Sequence, residues 1–129
     1  MIAMRDRKRA LFTLVGTLVL GSMMGCRHRS MACKQRGTAL NAQVDTLKHA
    51  AIDKLKIGTK KEDVIHFFAE NNFTITFDKH GATGTIHTLG CSPTGCGTDE
   101  FLIVLKTELD ESGSVKSEPV VGGGYTNCL

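Results

Sequence analysis

The first 26 residues limit everything the rest of the chain can be. Arg5, Arg7, Lys8 and Arg9 make a basic start, interrupted only by Asp6. Ala10 to Leu20 (ALFTLVGTLVL) carries no charge. Gly21 and Ser22 loosen the chain, and Met23-Met24-Gly25-Cys26 closes the segment. Basic, then apolar, then small is the order of an export signal. A membrane-spanning helix needs roughly 20 apolar residues, and this run is shorter. Cleavage ahead of Cys26 removes 25 of 129 residues and leaves 104. That is one small domain with a thin core, the kind that covalent staples help.

The segment ending at Cys26 resembles the lipobox of bacterial lipoproteins, in which a cysteine directly follows a small residue. The resemblance implies cleavage between Gly25 and Cys26. It also implies a diacylglyceryl group on the Cys26 thiol, and so a membrane anchor. A plain secretory signal, an uncleaved anchor and a buried helix are the other readings of the same residues. The organisation expected is a signal peptide over 1–25, a lipidated basic tether over 26–37 and a small domain over 38–129.

Charge follows this division. The chain has 16 Lys and Arg against 13 Asp and Glu. The signal takes four of the former and one of the latter, leaving 12 of each. The basic excess therefore belongs to a removed segment and gives no reason to expect nucleic acid. Arg27, Arg29, Lys34 and Arg36 lie just after the lipidation site. Basic residues beside a membrane gain about 1 kcal/mol each from anionic headgroups. Arg27, rather than Asp, follows the lipid cysteine, which by analogy with lipoprotein sorting implies the outer membrane, facing the periplasm.

Beyond the tether, Leu40, Val44, Leu47, Ala51 and Leu55 form one apolar stripe at helical spacing. The spacing predicts a helix from a Thr38 cap to Ile57-Gly58. Thr59-Lys-Lys-Glu62 is a capping-box pattern opening a second helix. Val64, Ile65, Phe67 and Phe68 supply its buried face, and Asn71-Asn72 ends it. The period then becomes two: Phe73, Ile75 and Phe77 alternate with polar residues, as in a half-buried strand. A second strand is expected near Thr85–Leu89 and a loop over Cys91–Asp99. A central strand is expected over Phe101–Leu109, and a turn at Asp110–Gly113. Val115–Val121 reads as an edge strand because of Pro119, with Gly122–Gly124 fraying into a tail. The expected class is α+β: two N-terminal helices on an antiparallel meander of three to four strands.

The phrase Leu55-Lys-Ile-Gly58-Thr59-Lys-Lys-Glu62-Asp63-Val64 stands between the Cys26 lipobox and the strand pattern through Phe101–Leu109 into Asp110–Gly113. Together these resemble the small outer-membrane lipoproteins of the BamE (SmpA/OmlA) type, over roughly residues 55–121. The resemblance implies a helix-on-sheet fold and a role in outer-membrane assembly or integrity.

Lipidation of Cys26 leaves Cys33, Cys91, Cys96 and Cys128, an even number that suggests two disulfides in an exported chain. Three pairings are open. The preferred one joins Cys91 to Cys96 and Cys33 to Cys128. A zinc site on His87, Cys91 and Cys96 is disfavoured by the spacing and the lack of a second close pair. No Cys-x-x-Cys redox motif is present.

The remaining chemistry is bland. His28, His49, His66, His80 and His87 show no metal-ligand spacing. Glu62-Asp63, Asp99-Glu100 and Asp110-Glu111 read as solvated or capping carboxylates. One Tyr and no Trp make a stacking platform for nucleic acid improbable on composition. The expectation is a non-enzymatic protein of the cell envelope, with no cofactor, no metal and no nucleic acid. It would be held to the membrane by lipid and would bind an envelope protein through its sheet or the Cys91–Cys96 loop. An inhibitor or small-ligand-binding module of a periplasmic enzyme is the alternative; a metal-binding or thiol protein is the third reading.

Overall fold

The computed structural model describes residues 7–93 and 97–128, with side chains from Met31 onward. Helices α1 (Arg7–Lys54) and α2 (Lys61–Glu70) precede strands β1 (Thr74–Phe77), β2 (Gly81–Leu89), β3 (Glu100–Glu108) and β4 (Val120–Tyr125). The strands form one antiparallel sheet in the order β1-β2-β3-β4. The α+β class and the meander are as expected. Contacts divide the chain into a unit ending at Gln35 and a unit Arg36–Leu129, which holds the sheet. Among the described residues no helix is long and apolar enough to cross a membrane.

Four expectations about elements are corrected. First, α1 does not open at Thr38 but runs unbroken through the stretch expected to be an irregular tether. No proline lies between Arg7 and Lys54, and the Lys, Arg, Gln, Met and Ala of that stretch favour helix. Second, the Thr59–Glu62 capping box does not form. The N-cap is Lys60, with no side-chain cap bond, and the Thr59 hydroxyl donates backward to the Lys54 carbonyl at 3.5 Å. The β3–β4 connection decides this, because Val115 N–H donates to the Thr59 carbonyl and Gly58 N–H to the Val115 carbonyl, both at 2.8 Å. Third, the last strand is Val120–Tyr125, not Val115–Val121. Gly122–Gly124 pair with Val104, Ile103 and Leu102, while Val115 meets Leu109 in an isolated bridge outside the strand. β2 also begins earlier than expected, at Gly81.

The α1 stripe is read correctly. Leu40, Leu47, Ala51 and Leu55 are buried and share one core with Val64, Phe67, Phe68, Phe73, Ala82, Phe101, Ile103, Leu105 and Val115. Ile65, expected on the buried face of α2, is exposed. Phe77 is likewise exposed, its ring 4.4 Å from the Lys61 ammonium. β3 is central and alternates: Phe101, Ile103, Leu105 and Thr107 are buried against the helices. Leu102 and Val104, on the outer face, are half-buried. Thr107 satisfies its buried hydroxyl by donating to the Ala82 carbonyl at 3.3 Å.

Gly123 marks where α1 crosses β4. A Cβ there would stand 2.8 Å from Phe101 Cε1 and from Val44 Cγ2, whereas at Gly122 and Gly124 it would meet nothing within 4 Å. Gly123→Ala is therefore expected to destabilise by about 1–3 kcal/mol through overpacking. Gly122→Ala and Gly124→Ala should be neutral or slightly stabilising, since glycine weakens a strand. Urea unfolding of the three variants checks the register; equal losses at 122 and 123 would contradict it.

Candidate functional site

Two features of Arg36–Leu129 are built beyond what the fold requires. One is the β2–β3 connection. Gly90 N–H donates to the Asp99 carbonyl at 2.8 Å. A Cβ on Gly90 would meet the Tyr125 ring and hydroxyl at 2.6 and 2.7 Å, so only glycine lets Tyr125 close over the strand end. The Tyr125 hydroxyl accepts from Cys91 N–H at 3.0 Å, and its ring packs edge-on against Phe101 at 5.1 Å. Asp99 Oδ1 accepts from Ser92 N–H at 3.0 Å and from the Ser92 hydroxyl at 2.8 Å. These bonds hold its carboxyl below the usual range, with a smaller pull from Arg36. Beside it, Glu100 Oε1 lies 2.5 Å from His87 Nδ1, and Oε2 accepts from the Thr126 hydroxyl at 3.1 Å. The His87 bond leads in lowering the Glu100 pKa. Both carboxylate oxygens are thus occupied, and the pair ties β2 and β3 to the chain after β4.

The second feature is the outer edge of β4. Thr126 N–H donates to the Glu100 carbonyl at 3.0 Å. Carried along the register, in which Gly124 faces Leu102 and Gly122 faces Val104, this sets the alternation of the ladder. The backbone groups of Val120, Gly122 and Gly124 face β3. Those of Val121, Gly123 and Tyr125 face away from the sheet. Among the described residues no strand pairs with β4 on that side.

The residues expected to matter fall as follows. Lys34 and Arg36 are exposed on α1. Gly25, Cys26, Arg27 and Arg29 lie within α1, with side chains outside the described residues. Cys96 lies outside the described residues altogether. Cys33, Cys91 and Cys128 are each disulfide-bonded, and Cys33 is helical, two turns ahead of Leu40. Among the described residues no group of three or more His, Cys, Asp or Glu side chains is gathered as a metal site. The β4 edge was missed because a run of three glycines reads as a break. The available signal was the spacing of Val121 and Tyr125 around Gly123, which continues a strand.

Acid sensitivity follows from the turns. Asp110 Oδ1 accepts from Ser112 N–H, the Ser112 hydroxyl and Ser114 N–H at 2.9, 2.6 and 2.9 Å. Asp78 Oδ1 accepts from His80 and Gly81 N–H. The Ser112 hydroxyl bond leads in lowering Asp110, and the His80 amide in lowering Asp78, from an ordinary 3.8. A pKa lower in the folded than in the unfolded state adds stability above the unfolded value. That stability is lost as pH falls below 3.8 through the folded value. Asp110→Asn should therefore lose less stability than wild type between pH 5 and pH 3; unfolding midpoints at the two pH values measure it, and parallel losses would exclude Asp110 as a source.

Comparison of the chain with protein-family models, with curated proteins and with solved structures finds no match.

Proposed function

We propose that the chain is an exported, non-enzymatic protein of the bacterial cell envelope, lipidated at Cys26 after removal of residues 1–25. It is held at the outer membrane facing the periplasm and binds a protein partner in outer-membrane assembly or integrity. The observation that supports export is the disulfide bonding of Cys33, Cys91 and Cys128, because such bonds persist in oxidising compartments. The basic–apolar–small order ending at Cys26 supports the anchor. The resemblance to BamE-type lipoproteins supports the assembly role.

Metabolic labelling with radioactive palmitate tests the anchor. The wild-type chain should take up label and fractionate with membranes, and Cys26→Ala should do neither. Label retained by the variant would end the lipoprotein reading. In-cell cross-linking then tests the role: outer-membrane barrel proteins or their assembly factors should be captured. A single soluble envelope enzyme would move the reading to an inhibitor or ligand-binding module.

A further inference from the structure

The outward edge of β4 carries the backbone groups of Val121, Gly123 and Tyr125, unpaired with any strand among the described residues and alternating as the edge of a growing antiparallel sheet does. Exposed edges are normally blunted by charge, proline, a bulge or shortness. The opposite edge, β1, is four residues long. β4 is six residues long, and VVGGGY contains no charge and no proline. Its outer face is bare, since Gly122 and Gly124 stand there with open space over them. Val120 is 67% exposed. Leu102 and Val104, directly across from the two glycines, are only half-buried.

We propose that β4 accepts one added strand from a partner polypeptide, an extended segment with bulky apolar side chains at alternate positions. This rests on the protein-binding reading above and names the surface and the partner chemistry. Only an extended backbone meets three amide groups at two-residue spacing. Partner residues opposite Gly122 and Gly124 fall in non-hydrogen-bonded pairs, where side chains approach most closely. Large rings there cross the glycines and reach Leu102 and Val104, as aromatic residues do when they cover glycines in a neighbouring strand. A second copy of this chain fits less well. Antiparallel self-pairing centred on Gly123 sets Gly122 against the other copy's Gly124 and leaves the outer face bare. A charged segment fits less well again, because it would lay charge on Leu102, Val104 and Val120.

The test is amide hydrogen exchange on the isotope-labelled full chain in detergent, with and without a synthetic peptide alternating phenylalanine and threonine between terminal lysines. The expected result is at least tenfold slower exchange at Val121, Gly123 and Tyr125 with peptide, and little change at Gly122 and Gly124, already bonded to β3. A peptide alternating aspartate and threonine should leave all five unchanged. G122E/G124E, whose side chains enter open space, should keep the fold by circular dichroism and weaken peptide binding at least tenfold. Three outcomes would overturn the proposal: no slowing with the apolar peptide, equal slowing with the acidic one, or edge amides already slow in the free chain, as self-pairing would make them. None of these bears on palmitate labelling or membrane fractionation, so failure here is separable from failure of the anchored-protein reading.

Discussion

Replacing Phe68 by alanine is expected to cost about 3–5 kcal/mol, enough to unfold much of a domain this size. Phe68 is fully buried. Its ring lies 5.5 Å from that of Phe73 and 6.4 Å from that of Phe67. A Cβ on Gly84 would come within 3.1 Å of its Cε1, so β2 closes directly onto it. Truncation leaves a cavity bounded by sheet backbone and two rings, which has little means of collapsing. Ile65, three residues earlier on the exposed side of α2, is the internal control. Ile65→Ala should stay within about 0.5 kcal/mol, as surface substitutions do. Denaturant unfolding of both variants gives the comparison. A Phe68→Ala loss near that of Ile65→Ala would mean that α2 is not seated on β1 and β2 as described.

Those two residues also show how far the sequence was legible. The α1 stripe and the Phe67-Phe68 pair follow from helical spacing, because an apolar face must be buried whatever it packs against. β3 was legible because a run apolar on both faces suits a central strand. The Asp110–Gly113 turn was legible because its geometry is local: Gly113 sits at φ +77°, and the Asp110 carboxylate gathers the turn. What was not legible depended on distant partners. Thr59 and Glu62 carry a capping pattern, yet the Val115 amide draws on the Thr59 carbonyl and the helix starts after Lys60. Val115–Val121 has better strand propensity than Val120–Tyr125, but β4 must pass beneath Val44, and only glycine fits at position 123. Propensity is a prior that such contacts override. The edge at the candidate site was hidden for the same reason, since its glycines acquire meaning only beside α1 and β3.

Removing the disulfide at Cys91 should have the other large effect. Loss of a native disulfide from a small exported domain costs about 2–5 kcal/mol. The expected result for Cys91→Ala is a loss in that range. Alkylating the free thiol keeps it from exchanging with other bonds. Two quantities separate the mechanisms. If the bond acts on the unfolded chain, the variant's denatured state expands, so the denaturant slope rises while the midpoint falls. If it acts by holding Cys91 in place, the slope stays constant and exchange quickens at the Cys91 amide, which donates to Tyr125. Loss of that anchor would loosen Tyr125, the last residue of β4, and with it one end of the edge proposed to take a partner strand. Cys91→Ala should therefore bind the phenylalanine–threonine peptide less tightly even where it remains folded. Unchanged stability and unchanged peptide binding together would show that Tyr125, packed on Phe101, holds this end of the sheet without the covalent link.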